Sequence, residues 1–558
     1  MKRIFFLLCI ICIYSTAFTQ QVDLGNAKSH FSKENLLKIS GGFSANSVFY
    51  SGNEPYARDP FTYYLTGTVN LNIINLINTP FSFNFTNSGS NYTYPTMPNR
   101  FSLHPSYKWV TGHLGDVSMN FSPYTLNGHL FTGVGIDLGA STSSPLKVSA
   151  MYGRMQRAVE YGEGNRNAPV AYKRMGYGTK IRFEKSKYQL GTSIFMAKDE
   201  INSLKWHPDS LQIFPEENMA LSLNGSLQLI ENMRLSTEYG ISILNRNIKQ
   251  DNTENSKYHA IRILLDYTFK NNTVGIGYER IDPGYKTLGA YYFNNDLENI
   301  TLNYARPFLK NKGSIALSGG IEHDDIENTK ETQTRRFIFS ANTSYSHSEN
   351  LNFNLTYSSF QTYMNVRSQF DYINELTPYD NLDTLNYTQI SQNISFTTNY
   401  IFKKNDSNIQ NLNINLNFQE AADKQGDIVP EGGRSLFCNA SLAYGLQYLP
   451  RKISSNLSLN LSANRMAGQD MIIIGPTFNV SVPLFDKKLN TSFVVSYNTN
   501  FVDGASQASV WNARFNAGYV LKKKHRLNFN LTYRDNLTKT NNIKTNGLTM
   551  TTGYNYSF

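Results

Sequence analysis

The stretch Leu548–Phe558, which reads LTMTTGYNYSF, decides the fold. Its even-numbered positions are apolar or aromatic apart from Thr552, whereas its odd-numbered positions are all small or polar. A period of two residues is the period of a β-strand that has one apolar face and one polar, water-facing face. The stretch therefore predicts a strand that separates an apolar environment from water.

The same alternation begins at Leu37 and continues through most of the chain. Clear examples are LNFNLTY at 351–357, LNINLNF at 412–418, LSLNLSA at 457–463 and a second LNFNLTY at 527–533. The intervening positions are nearly all Asn, Ser or Thr, and Asn is normally depleted in strands. Such dense use of Asn predicts a wet, enclosed face, as in the interior of a transmembrane β-barrel.

Short polar turns between these runs alternate with longer polar stretches. Counting the runs gives about 26 strands, with about 24 equally compatible because strand boundaries read from sequence shift by a few residues. We therefore predict an all-β fold, a single large antiparallel transmembrane β-barrel with short periplasmic turns and longer outer loops. The alternative is a soluble propeller or sandwich array, but the chain shows no fixed repeat of the kind that propeller blades produce.

Composition supports this fold class. Aromatic residues make up 13% of the chain, and charged residues make up 17% against about 25% in ordinary soluble domains. The mean hydropathy of −0.40 and the lack of an 18-residue apolar run after residue 20 exclude a polytopic helical membrane protein. If the N-terminal segment that holds Cys9 and Cys12 is removed, Cys438 is the one cysteine left, and it can form neither an intrachain disulfide nor a cysteine-based metal site.

The N-terminal segment has the features of a secretory signal peptide. It has a basic start, an apolar core from Ile4 to Tyr14 and small residues before a cleavage point after Thr19. A lipoprotein signal at Cys9 or Cys12 is an alternative, although the residues before them are large where such a signal needs a small one. The predicted organisation is a signal peptide (1–19), a short polar lead (20–36) and a transmembrane β-barrel (37–558).

The aromatic residues of the last strand, Tyr554, Tyr556 and Phe558, form a pattern that resembles the C-terminal assembly signal of outer-membrane β-barrels. The resemblance implies insertion into the outer membrane of a Gram-negative bacterium by the barrel-assembly machinery. Outer-membrane lipid and lipopolysaccharide are then the expected surroundings, and no nucleic-acid partner is expected.

Residues 101–183 depart from the Asn/Leu alternation. The blocks KWVTGHLG (108–115), FSPYTLNGHLFTGVGIDL (121–138) and AYKRMGYG (171–178) resemble a group of outer-membrane barrel proteins of Bacteroidota. The resemblance is specific only in the N-terminal part of the chain, and it implies class and compartment but no activity. Glycines at 133, 135, 139, 153, 176 and 178 predict bulges or close backbone approach.

Basic residues concentrate in the same region. Ten Lys and Arg lie between Lys147 and Lys187 against three Glu, a local net charge of +7. Arg174, Lys180 and Arg182 fall on the polar side of the alternation, where a one-sided basic arc would favour anions in a pore. The alternative is that carboxylates of inward loops, or lipopolysaccharide phosphates, neutralise these cations.

No motif for catalysis or for metal binding emerges. The chain lacks a Gly-x-Ser-x-Gly elbow and the usual zinc and calcium spacings, so we predict no catalytic residues, no metal site, no cofactor and no enzymatic activity. His113, Asp116 and His129 fall in one predicted hairpin, where a structural pairing is favoured over a catalytic one. An acidic run at 322–325 is a weaker candidate for binding a divalent cation.

Two tripeptides resemble the O-glycosylation acceptor of Bacteroidota and fall in predicted long loops. They are Asp209-Ser210-Leu211 and Asp383-Thr384-Leu385, with Ser210 and Thr384 as the acceptors.

Two functions follow from these patterns. The first is a passive outer-membrane pore or channel with an Asn/Ser/Thr lumen and a basic arc that favours anions. The alternative is a non-catalytic surface scaffold, a barrel that anchors a partner protein of a secretion, motility or other envelope complex. A lipase or protease is disfavoured because no nucleophile motif is present.

Overall fold

The computed structural model describes residues 37–53, 59–74, 76–87, 99–139, 144–160, 170–205, 211–250, 255–327, 335–360, 362–365, 373–377, 387–422, 434–466 and 468–558. Within these ranges the strands are β1 Leu37–Gly52, β2 Phe61–Ile73, β3 Ile77–Thr86, β4 Arg100–Leu103, β5 Ser106–Tyr107, β6 Val110–Asn120, β7 Asn127–Leu138, β8 Leu146–Gln156, β9 Arg174–Lys185, β10 Tyr188–Asp199, β11 Glu217–Ile230, β12 Met233–Asn245, β13 Ser256–Phe269, β14 Asn272–Ile281 and β15 Leu297–Phe308. They continue with β16 Gly313–His323, β17 Arg335–Ser348, β18 Leu351–Ser358, β19 Thr362–Asn365, β20 Tyr387–Ile390, β21 Gln392–Lys404, β22 Asn408–Ala422, β23 Arg434–Tyr448, β24 Ile453–Met466, β25 Gln469–Leu484, β26 Leu489–Val502, β27 Ala505–Leu521, β28 His525–Thr538 and β29 Ile543–Ser557. A 3-10 turn lies at Ile201–Ser203, and the described ranges contain no helix long and apolar enough to cross a bilayer.

The strands form a closed antiparallel β-barrel of 26 strands, which confirms the predicted fold class. Each barrel position pairs with the next one along the chain, β18 with β21 included, and β1 pairs with β29 to close the ring. The short strands β4 and β5 together occupy one barrel position, because each of them pairs with both β3 and β6. The interruption falls at His104-Pro105, where proline has no N–H to donate to a ladder. The hairpin of β19 and β20 stands outside the barrel sheet.

The two ends of the barrel differ in loop length, as predicted. At one end the connections are mostly two to four residues, for example 186–187, 231–232 and 349–350. At the other end they reach the length of the stretch 359–391, which contains the β19–β20 hairpin. The last connections at this long-loop end, 503–504 and 539–542, are nevertheless short.

The strand alternation separates two kinds of residue. On one face large apolar side chains are exposed, including Leu223, Leu459 and Trp511. On the other face small polar side chains are buried, including Ser222, Ser462, Thr532 and Thr549. We refer to these as the apolar face and the polar face. A one-residue register shift would exchange the faces, so the pairing of every strand is strongly specified.

The closing seam joins the first and last strands. Its ladder runs from Gly42 opposite Ser557 to Gly52 opposite Gly547. Beyond the ladder, Gly41 and Phe558 exchange two main-chain hydrogen bonds of 3.2 and 3.0 Å. On the apolar face Phe43 packs against the rings of Tyr554 and Tyr556 at 5.9 Å each. The predicted assembly residues thus hold the barrel closed, while their recognition by the assembly machinery stays a prediction.

Candidate functional site

The polar face changes character between β6 and β10. There it carries a buried apolar cluster in place of Asn, Ser and Thr, formed by Val117, Met119, Phe121, Leu126, Phe131, Met151, Met155, Phe195, Ala197 and Leu288. We call this group the apolar cluster. Seven of its ten members lie within 101–183, the region whose sequence departs from the Asn/Leu alternation, so the departure reflects a hydrophobic core on this face of the barrel.

Glycines make room for the apolar cluster. A Cβ on Gly153 would lie 2.6 Å from a ring carbon of Phe131, and one on Gly176 would lie 2.8 Å from the side chain of Met155. A Cβ on Gly133 would lie 2.2 Å from a main-chain oxygen of the neighbouring strand. These contacts confirm the predicted close backbone approach, because any larger residue would displace the cluster or the ladder.

The connection between β6 and β7, residues 121–126, packs on this cluster, and we call it loop A. Phe121 and Leu126 are cluster members, and Leu126 is completely buried. A tight internal turn fixes loop A, because the Phe121 N–H donates to the Leu126 carbonyl at 2.8 Å and the Thr125 N–H donates to the Ser122 carbonyl at 3.1 Å. Leu126 therefore anchors loop A through its side chain and through its carbonyl.

Three side chains of loop A bond to the polar face of three different strands. Ser122 donates to Glu238 of β12, and the Tyr124 hydroxyl donates to Glu279 of β14 at 2.9 Å. The hydroxyl oxygens of Thr125 and Ser193 of β10 lie 3.0 Å apart. Burial, reinforced by the neighbouring Glu279 carboxylate, raises the pKa of the Tyr124 hydroxyl, which keeps it protonated as a donor.

The connection between β14 and β15, residues 282–296, covers loop A, and we call it loop B. The Tyr285 hydroxyl donates to the Tyr124 carbonyl at 2.8 Å, and the Asn127 N–H donates to the Gly289 carbonyl at 2.8 Å. The Tyr285 ring also packs edge-on against Tyr124 with centroids 6.0 Å apart. Burial raises the pKa of the Tyr285 hydroxyl, so this donor too remains protonated.

Loop B is anchored to the wall by Asn218 of β11. The Asn218 amide donates to the Lys286 carbonyl at 3.2 Å and accepts from the Leu288 N–H at 3.1 Å. Ser242 of β12 donates to the same Lys286 carbonyl at 2.6 Å. Because Asn218 is 1% exposed, breaking these bonds would leave its amide buried without a hydrogen-bond partner from water, which favours the docked position of loop B.

A further segment from the long-loop end, residues 373–377, bonds to the polar face elsewhere on the barrel. It belongs to the connection between β18 and β21, yet it contacts β26 and β27. Asn498 donates to the Asn374 side chain at 3.2 Å, Asn512 donates to the Ile373 carbonyl at 3.0 Å, and Arg514 donates to the Glu375 carbonyl. Loops therefore pack on the polar face in two places.

The three predicted basic residues all lie on β9 with their side chains on the polar face, but they differ in their partners. Arg174 bonds to both carboxylate oxygens of Asp199 at 2.7 and 2.9 Å and to Glu216 at 3.3 Å. Asp199 is 3% exposed, so Arg174 serves a buried ion pair that ties β9 and β10 to the segment before β11.

Carboxylates offset the charges of Lys180 and Arg182 less than they offset the charge of Arg174. Lys180 donates to the main-chain carbonyl of Asn120 at 3.2 Å and forms no ion pair with a carboxylate of the described residues. Arg182 pairs with Glu184, which also pairs with Lys147 at 2.6 Å. The preference for anions that these residues were predicted to produce stays a prediction.

The histidines form structural contacts. His113 bonds to Asp137 and to His104 at 2.8 Å each, instead of meeting Asp116 or His129. Asp116 accepts from Thr132 at 2.6 Å, and the His129 ring stacks on Tyr291 at 4.1 Å. Among the described residues no group of three or more His, Cys, Asp and Glu side chains is arranged to hold a metal ion.

Sequence reasoning missed loop B. Its signal is composition, because loop B carries Tyr285, Tyr291, Tyr292 and Phe293 where a solvent-exposed loop would be polar. Other predictions lie outside the described residues, namely the signal peptide, the polar lead and the acceptors Ser210 and Thr384.

Comparisons with known proteins add a likeness of fold. No family model and no curated protein matches the chain. Among solved structures, the chain is similar to the translocation pore of the P pilus usher PapC, with 10% identity, 94% and 99% of the two chains covered and a TM-score of 0.39. It is also similar to the FrpB iron transporter from Neisseria meningitidis, with 12% identity, 96% and 83% covered and a TM-score of 0.37. A third is the outer membrane protein OprD from Pseudomonas aeruginosa, with 11% identity, 76% and 94% covered and a TM-score of 0.34. We draw no conclusion about function from likenesses this distant.

Proposed function

We propose that the protein is a channel of a Gram-negative outer membrane through which small polar solutes diffuse. The observation that carries this proposal is the closed barrel with two chemically opposite faces. Leu, Phe and Trp exposed on one face suit contact with lipid, and Asn, Ser and Thr on the other suit a water-filled lumen. The polar face is the inner one in this proposal, and loops A and B lie in the lumen.

The size of the barrel supports a channel. Strands about 4.8 Å apart and tilted by about 40° give a backbone diameter of about 50 Å for a circular ring of 26 strands. Barrels of 16–18 strands already leave an aqueous pore. Loops A and B and residues 373–377 narrow this lumen from the long-loop end, so the polar wall and the loops together set the width of the path.

The channel favours anions in this proposal, through Lys180 and Arg182. Cations exposed along one wall raise the local concentration of anions and lower their barrier to passage. Arg174 contributes less, because Asp199 and Glu216 offset its charge.

Planar-bilayer recording tests the proposal. The purified protein is expected to produce discrete current steps, and the variant Lys180→Gln/Arg182→Gln is expected to shift the reversal potential towards cation preference in a salt gradient. A protein that inserts but carries no current would rule out the channel. An unchanged reversal potential would rule out the basic residues as the source of selectivity.

A surface scaffold for an envelope complex is the second candidate. Loops A and B favour it, because they share a packed core with the wall and so offer a fixed structure at the long-loop end. Affinity purification from gently solubilised membranes distinguishes the two functions. Stoichiometric co-purification of an envelope protein, together with absent current, would favour the scaffold.

A further inference from the structure

A recess lies on the polar face beside loop A. It is formed by β9–β13, has a volume of about 370 Å³, and is partly open. Its lining includes three cationic side chains, Lys180, Arg182 and Arg262, against one carboxylate, Glu238. Gln189, Asn224, Ser226 and Ser236 add uncharged donors and acceptors. The volume falls at the lower end of the range for small-molecule sites.

The strand register places four of these groups in one row. Arg182 lies opposite Gly191, Gly191 opposite Asn224, Asn224 opposite Glu238, and Glu238 opposite Arg262. Gly191 is the gap in this row, since a Cβ there would lie 2.2 Å from the Asn224 side-chain oxygen. The Asn224 amide can therefore lie flat against the wall between the two arginines.

Loop A determines which charges of this row are compensated. Arg262 has a carboxylate as its cross-strand neighbour on each side, Glu238 on β12 and Glu279 on β14. Both carboxylates are instead occupied by loop A, Glu238 by Ser122 and Glu279 by Tyr124. Glu238 also accepts from Ser222 at 2.6 Å.

As a result the Arg262 guanidinium is exposed and forms no ion pair with any carboxylate of the described residues. Lys180 is in a similar state, since among the described residues it donates to a main-chain carbonyl and pairs with no carboxylate. Arg234 lies nearby but is occupied by Ser226 at 2.5 Å and has Asp266 as its cross-strand neighbour. The recess thus presents two cations without carboxylate partners, and a third, Arg182, that also bonds to Gln189 at 3.3 Å.

We propose that this recess is a binding subsite for small solutes that carry one carboxylate or phosphate group together with hydroxyl groups. The Arg262 guanidinium binds the anionic group through charge-assisted hydrogen bonds. Lys180 and Arg182, which line the recess four strands away, add to its positive potential. Gln189, Asn224, Ser226 and Ser236 bind the hydroxyl groups. This subsite deepens the proposed channel function and rests on it, because solute would reach the recess from the lumen.

Current block in planar bilayers tests the subsite. Gluconate and glucose 6-phosphate are expected to interrupt the current at concentrations where glucose does not, and inorganic phosphate is expected to be weaker because it cannot use the hydroxyl-binding groups. Arg262→Gln is expected to raise the half-blocking concentration about ten-fold or more, the usual loss when a hydrogen bond to a charged group is removed. The block is also expected to weaken between 0.1 and 1 M salt, as the screening length falls from about 10 to about 3 Å.

Arg526→Gln is the matched control. Arg526 is an exposed cation on the polar face of β28, away from loop A, so its removal changes the lumen charge equally but leaves the recess intact. An equal loss of block in both variants, or equal block by glucose and gluconate, would overturn the subsite while leaving the channel in place. If no current is found, calorimetry of glucose 6-phosphate binding to the detergent-solubilised protein decides: binding that Arg262→Gln alone weakens supports the subsite, and absent binding refutes it.

Discussion

Replacing Leu126 by Ala should release loop A from the wall. Leu126 is completely buried in the apolar cluster, and its carbonyl closes the turn of loop A. Leu→Ala changes at buried sites cost about 2–5 kcal/mol. At 1.36 kcal/mol per factor of ten, the equilibrium between undocked and docked loop A should shift by between about 30-fold and several thousand-fold.

Hydrogen exchange followed by mass spectrometry, on the protein in detergent micelles, measures this equilibrium directly. The Asn127 amide, followed in peptides covering 121–127, should exchange faster in Leu126→Ala by that factor, because its N–H donates to the Gly289 carbonyl of loop B only while loops A and B are docked. Leu459→Ala is the matched control, since Leu459 is 51% exposed on the apolar face of β24. Exchange in 121–127 that accelerates by less than about three-fold, or that accelerates equally across the whole barrel, would refute the docking argument.

Three further predictions concern other parts of the chain. Deletion of Phe558 should lower the amount of protein in the outer membrane, because it removes two seam hydrogen bonds and the last residue of the proposed assembly signal; unchanged surface levels by immunoblotting would contradict this. Arg174→Gln should destabilise the barrel by about 3–5 kcal/mol, because it leaves the Asp199 carboxylate buried without its cationic partner, and should lower the melting temperature in detergent without changing ion selectivity. Mass spectrometry of the protein from its native membrane should find glycans on Ser210 and Thr384, and two unmodified peptides would dispose of that hypothesis.

The barrel could be predicted from sequence because each strand shows its own alternating pattern, which does not depend on residues distant in sequence. In segments such as 412–418 and 527–533, apolar and polar residues alternate with a period of two, which assigns each residue to one face of the strand. Short turns separate the strands. The number of strands then follows from counting. Even the interruption at His104-Pro105 has a local cause, since proline cannot donate to the ladder.

The docked loops could not be predicted, because their contacts are distant in sequence. Tyr124 and Tyr285 are 161 residues apart, and Asn218 lies 68 residues from Lys286. The loss of the Asn/Leu alternation correctly indicated that residues 101–183 differ from the other strands. It does not indicate which loop packs on this region. That Arg262 forms no ion pair with Glu238 or Glu279 could not be predicted either, because it depends on the hydrogen bonds from loop A to these two carboxylates.

The most direct test of a polar channel narrowed by docked loops is a comparison of single-channel conductance. Wild-type protein and a Leu126→Ala/Leu288→Ala variant, which weakens the anchors of loops A and B together, would be recorded in the same bilayers. We predict discrete current steps from the wild type and larger steps from the variant. No current from either protein, or steps of equal size from both, would contradict the account.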